Sequence, residues 1–198
     1  MSKKKDTFIN MVVSLFVITI ISGLSLGFVN DFTVGPIAKA KLEKKINGLK
    51  LVLPSFDNNP VDEVKLVESE FAKDSVEIYP AFKGGVFVGA AVIGSSQKGF
   101  SGLVKIMVGF NPEGVIQNIV VLEQKETPGL GTKMKDEKFI QQYREKNPSS
   151  FDLRPSKDGG EIDALTGATI TTRAFSDAAQ MAFNEFMKNS KALKEIKK

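Results

Sequence analysis

The sequence contains no cysteine, no histidine and no tryptophan. Without cysteine there is no disulfide, no thiolate nucleophile, no iron–sulfur cluster and no thiolate-built zinc site. Without histidine there is no imidazole base, no Ser-His-Asp triad and no His-ligated haem or zinc. The common protease and nuclease chemistries are therefore disfavoured, and neither a catalytic side chain nor a metal site is expected. Two Tyr and six Met are the remaining redox-capable side chains, so any electron chemistry must be brought by a cofactor. A strong charge imbalance is missing as well. The formal net charge of +4 comes from the ends, where Lys3, Lys4, Lys5, Lys188, Lys191, Lys194, Lys197 and Lys198 face only Asp6 and Glu195. Setting these aside leaves 19 basic and 21 acidic residues in the body, which argues against a nucleic-acid face.

What is present first is a long apolar run. Thr7 to Asn30 carries no charge and is bracketed by Asp6 and Asp31. As a helix of roughly 1.5 Å per residue it exceeds the hydrocarbon thickness of about 30 Å. It reads as a retained membrane anchor. A cleaved signal peptide is the competing reading, although no Ala-x-Ala site or lipobox Cys follows the run. The preceding lysines place the N-terminus in the cytoplasm and the rest of the chain outside. Gly23 and Gly27 have the Gly-x-x-x-Gly spacing that lets helices approach, a weak signal alone.

The remainder reads as one α+β domain with an antiparallel sheet and flanking helices. The expected boundaries are 1–30 for the start and anchor, 31–56 for a membrane-proximal helix and linker, and 57–198 for the domain. A short helix is expected over Lys39–Lys50, ended by Gly48 and Pro54. Residues 57–80 suggest two strands. Val86–Ile93 is an apolar run suited to a buried strand. Val104, Ile106, Val108 and Phe110 alternate with Lys105, Met107 and Gly109. The turn sequence Asn111-Pro112-Glu113-Gly114 then leads into Val115–Leu122, so a β-hairpin is expected. Asp136–Lys146 and Thr172–Met187 have helical periodicity, the latter through Phe175, Ala178, Ala182 and Phe186.

Two stretches carry chemistry. In Asp163-Ala-Leu-Thr166-Gly167-Ala168-Thr169-Ile-Thr171-Thr172, small residues precede the long C-terminal helix. Gly167 permits a backbone conformation that Cβ resists, and Thr171 or Thr172 can cap the helix. A helix start offers N–H groups and a positive dipole end to a phosphate, with the Thr169 hydroxyl at its edge. Asp163 can bind a metal or orient a hydroxyl. An ordinary loop and N-cap is the plain alternative. In Glu126-Thr127-Pro128-Gly129-Leu130-Gly131, two Gly and one Pro make a tight loop whose N–H groups can approach a flat ligand or a phosphate. It lacks Walker spacing, and a simple turn is its plain alternative.

Taken together, these residues resemble the FMN-binding domain family. Asp163, Thr166, Gly167, Ala168 and Thr169 fit that family's Asp-x-x-(Ser/Thr)-Gly-Ala-Thr flavinylation motif, and Glu126 to Gly131 fits its Glu-Thr-Pro-Gly-Leu-Gly loop. Phe100-Ser101-Gly102 fits its Gly-rich lead into a hairpin. The anchor, hairpin, loop and motif occur in the family's order. The short chain is most similar to the G subunits of Rnf ion-translocating electron transport complexes. The C subunits of sodium-translocating NADH:quinone reductases share the motif but are usually longer. Gln124 departs from relatives that have His there. The resemblance implies FMN held by a phosphoester to Thr169 and installed by a flavin transferase that reads Asp163. It implies cofactor contacts from Glu126, Thr127, Gly129, Leu130, Gly131, Thr166, Gly167, Ala168 and Thr172. It also implies other membrane subunits as partners, the bacterial cytoplasmic membrane as location, and electron relay without turnover by this chain alone. The reading from a different class is an anchored extracytoplasmic ligand-binding or sensor module with Thr169 unmodified.

Overall fold

The computed structural model describes residues 7–70 and 75–195. The terminal lysines Lys3, Lys4, Lys5, Lys197 and Lys198 lie outside the described residues. The chain divides into two compact units, Met1–Glu43 and Lys44–Lys198.

Within the first unit the chain is helical from Phe8 onward, as part of α1 (Phe8–Val52). Its large apolar side chains are exposed, with Phe16, Leu24 and Leu26 each about two-thirds or more accessible. Such a surface is costly in water, and this helix is long and apolar enough to cross a membrane. The Thr19 hydroxyl donates to the Leu15 carbonyl at 2.8 Å, so it needs no outside partner. The separate helix expected over Lys39–Lys50 is instead part of α1, which runs through Pro36.

The second unit is built on five antiparallel strands in sequence order: β1 (Lys65–Val67), β2 (Val76–Lys83), β3 (Val86–Gly99), β4 (Gly102–Phe110) and β5 (Ile116–Gln124). The expected hairpin pairs Val108 with Ile119 and Phe110 with Ile116. The sheet is covered on both faces, which explains its pattern. Val92, Ile106, Val108 and Phe110 face the C-terminal helix α3 (Thr169–Lys194). Ala91, Ile93 and Met107 face Leu49, Val52 and Leu53 at the end of α1 and just beyond it. Met107 broke the apolar–polar alternation in the sequence because its face is buried too.

Close approach fixes the helix on the sheet. A Cβ on Gly94 of β3 would lie 2.1 Å from the Ala178 carbonyl oxygen, so backbone meets backbone there. Ala174, Ala178, Ala179 and Ala182 are fully buried on the same helix. On the opposite face Gly109 meets the Val52 carbonyl in the same way. Polar groups add to that second contact. The Lys45 ammonium reaches Glu77 at 2.6 Å, and the Tyr79 hydroxyl donates to the same carboxylate.

Two helices differ from the sequence reading. The helix expected over Asp136–Lys146 is only α2 (Glu137–Ile140), followed by turns. The cause is tertiary: the Glu145 N–H donates to the Ile116 carbonyl at 2.8 Å, and Ile116 donates back to Lys146 at 2.9 Å. These bonds pull the chain onto β5 and hold Glu145 at φ 59°. The C-terminal helix starts three residues earlier than expected and runs to Lys194, because Leu193 is still fully buried.

Gly94→Ala should cost about 3 kcal/mol, since neither backbone can retreat; urea unfolding measures this. A second test concerns pH. Burial pushes the Glu77 carboxyl up, but the Lys45 and Tyr79 hydrogen bonds outweigh it and leave it below its ordinary value of 4.5. Its contribution is therefore complete above that value and is lost as pH falls through the lowered one. The stability gap between the native chain and Glu77→Gln should narrow as pH falls from 4.5 through the lowered value of the Glu77 carboxyl, as urea unfolding at successive pH values measures.

Candidate functional site

The two stretches singled out in the sequence meet at the start of α3. Leu165 to Ala168 forms a turn closed by the Ala168 N–H donating to the Leu165 carbonyl at 3.0 Å. Gly167 sits in it at φ 73°, where a side chain is strained. Thr169 is the first helical residue and is half-buried. Ala168 occupies the N-cap and supplies no side-chain cap, so neither Thr171 nor Thr172 takes the capping role expected of it. The first N–H groups of α3 thus have no intrahelical acceptor, and among the described residues no side chain caps them.

The two threonines instead shape the surroundings. Thr172 is fully buried. Its hydroxyl accepts the Leu165 N–H at 3.0 Å and donates to the Ala168 carbonyl at 3.1 Å. Both capacities are used within the turn, which it locks to the helix. Thr171 is also buried and donates to Glu126 Oε2 at 2.5 Å. Glu126 Oε1 accepts the Ser101 N–H at 3.0 Å. One buried carboxylate therefore joins the β3–β4 hairpin, the Pro-Gly loop and α3.

The loop is laid against that junction. Leu130 and Thr132 donate their N–H groups to the Thr127 carbonyl, at 3.2 and 3.3 Å. The Gly129 N–H donates to the Thr132 hydroxyl at 2.9 Å. A Cβ on Gly131 would fall within 2.8 Å of both Glu126 and Thr171, so only glycine lets the loop close there. Leu130 lies against Gly167 and remains 43% exposed, leaving an apolar surface beside the turn. Thr127 and Thr166 are exposed as well.

Asp163 is exposed and stands upstream of the turn. Its N–H donates to Gln142 Oε1 at 2.7 Å, and its carbonyl accepts from Gln142 Nε2 at 3.4 Å. A cleft of about 310 Å³ is bordered by Ile170, Lys98, Arg154 and Arg173. Arg173 binds Asp158 through two bonds of 2.6 and 2.7 Å and holds that carboxyl below its usual range. Sequence reading missed Gln142 and Arg173 and gave Thr171 a capping role in place of its bond to Glu126, because each is defined by a partner elsewhere in the chain. Among the described residues no cluster of three or more His, Cys, Asp or Glu is placed to hold a metal ion.

The donors fit a flavin phosphate. Unserved N–H groups at a helix start suit a phosphate anion, a half-exposed hydroxyl adjoins them, and an exposed leucine offers apolar support for a flat ring. The Glu126 carboxylate is spent on Ser101 and Thr171. Glu126→Ala should leave both partners unsatisfied and cost roughly 2–4 kcal/mol, against about 1–2 kcal/mol for Thr171→Val. Chemical denaturation of the two variants checks the order.

Residues 99–184 match the model of the FMN-binding domain. The chain is 27% identical over 187 residues to the G subunit of the Na(+)-translocating ferredoxin:NAD(+) oxidoreductase complex of Acetobacterium woodii, covering 89% of this chain and 90% of that one. It is 32% identical over 164 residues to the G subunit of the ion-translocating oxidoreductase complex of Cereibacter sphaeroides, covering 79% and 74%. The crystal structure of Shewanella oneidensis NqrC superposes with a TM-score of 0.51 at 23% identity, over 66% of this chain and 69% of that one, which establishes a shared fold. The extent and identity of these sequence matches show that the chain belongs to the family of G subunits of ion-translocating oxidoreductase complexes and contains an FMN-binding domain.

Proposed function

We propose that this chain is the electron-transfer flavoprotein subunit of a membrane-bound ion-translocating complex of the ferredoxin-to-NAD type, with FMN esterified to Thr169. The observation that carries the reading is the meeting of both motifs at one uncapped helix start, beside a half-exposed threonine hydroxyl. When bound, FMN supplies one- and two-electron chemistry and so links carriers of either kind.

The protein's own groups do the holding. Thr169 Oγ carries the phosphoester, and the N–H groups of the first helical turn take the phosphate charge. Thr166 and Gly167 keep that approach open from the solvent side. Leu130 brings one apolar side chain to the ring, and Thr127, Gly129 and Gly131 shape the loop that presents it, the Gly129 and Leu130 N–H groups being used inside that loop. Glu126 and Thr172 act behind them, by fixing the loop and the turn. A covalent link prevents loss of the cofactor from a domain outside the cytoplasm.

Attachment needs an activated donor, since a free phosphate and a hydroxyl do not condense readily in water. A flavin transferase acting on a phosphoanhydride of FMN supplies it. The bond from Thr169 Oγ to phosphorus forms as the anhydride P–O bond breaks, the second phosphate group leaves, and the hydroxyl proton passes to solvent. Asp163 belongs to the segment that this transferase reads. The apolar part of α1 anchors the chain in the bacterial cytoplasmic membrane, N-terminus inside and domain outside. With no charge between Thr7 and Asn30, that helix is not the ion path. The other membrane subunits of the complex are its partners.

Mass spectrometry of the natively produced chain tests the proposal. The peptide containing Thr169 should carry the mass of FMN less one water, and Thr169→Val should lose it while remaining folded. An unmodified native peptide would favour an anchored binding module instead.

A further inference from the structure

Gln142 offers a function that motif reading does not assign. The segment from Ile162 to Thr172 is pinned at several points. Ile162 is fully buried, and its backbone bonds to Arg154 and Ser156 at 3.1 and 2.7 Å. Leu165 is held by Thr172, and Ala168 by Leu165. Between the first two anchors stands Asp163. Its N–H is bonded to Gln142 at 2.7 Å and its carbonyl to the same amide at 3.4 Å, as a neighbouring strand would bond it. Its carboxylate is left facing solvent.

Gln142 is itself held firmly. The next residue, Tyr143, is fully buried. Its hydroxyl pairs with Ser176 of α3 at 2.9 Å, and its ring packs on Phe175 with centroids 5.0 Å apart. The helix that begins with Thr169 thus locates the amide that orients Asp163, six residues before Thr169. Resting on the attachment reading above, we propose that Gln142 is a positioning residue for flavinylation: its amide holds Asp163 in the orientation that the flavin transferase binds.

Without the clamp, Ile162 and Leu165 keep their anchors, and Asp163 samples several orientations. Only a fraction of molecules is then competent to dock, which raises KM by the inverse of that fraction and leaves kcat unchanged. Because this chain is the substrate of the transferase, a misfolded fraction also raises the apparent KM, but it stays unlabelled when the reaction is complete, whereas a mobile Asp163 is labelled in full. The final extent of labelling therefore separates positioning from general destabilisation.

The test uses the full chain in detergent micelles, purified flavin transferase and FAD as the FMN phosphoanhydride, with label read on the Thr169 peptide. Gln142→Ala and the volume-conserving Gln142→Met should both raise KM roughly tenfold, with kcat within about twofold of the native value and the Thr169 peptide labelled to the native extent at completion. A native KM in Gln142→Met would mean that packing rather than hydrogen bonding matters, and would overturn the proposal. So would a loss confined to kcat, or a final extent of labelling that falls in step with the rise in KM. If the native chain itself takes no label on Thr169, the attachment reading fails and this inference fails with it. Label on the native chain with unchanged KM in both variants removes the clamp alone.

Discussion

The contact between Gly94 and the Ala178 carbonyl is the constraint on which the rest depends. It places a helix backbone directly on a strand, with a row of buried alanines alongside. Packing at that distance leaves no slack for the helix to slide or rotate. The first turn of α3 is thereby delivered to one place beside the β3–β4 hairpin and the loop after β5. Everything at the candidate site is arranged relative to that turn.

Glu126 is the second element of this logic. A buried carboxylate is expensive unless its oxygens are bonded. Here one oxygen serves the hairpin and the other serves α3. The same side chain sits so close to Gly131 that the loop can pass only without a Cβ. The Glu-Thr-Pro-Gly-Leu-Gly stretch therefore has a structural reason for its first and last residues. Its middle, with Thr127, Gly129 and Leu130 exposed, remains open to a ligand. The stretch from Asp163 to Thr172 divides similarly: Thr172 is used internally and locks the turn, while Thr166 and Thr169 keep accessible surface.

Much of the fold was legible because the signals are local. The run from Thr7 to Asn30 declares itself by lacking charge, and the Asn-Pro-Glu-Gly turn marks the hairpin. The period of Phe175, Ala178, Ala182 and Phe186 marks α3, and all four are fully buried. Failures occurred where distant bonds overrode local preference. Asp136–Lys146 has helical periodicity, yet Ile116 of β5 claims its last residues. Threonines 171 and 172 look like caps, yet the helix begins earlier and uses them for burial and bonding.

The sequence by itself determined the apolar anchor, the strand-and-helix inventory and the two motifs, since composition, periodicity and turn chemistry act over a few residues. Tertiary structure alone decided that the motifs are neighbours, that the helix start is uncapped, and that Gln142 and Thr171 belong with them. Those facts rest on contacts between positions 21 to 45 residues apart in the chain. Such contacts exist only after the sheet has formed and α3 has docked on it, so no local pattern encodes them.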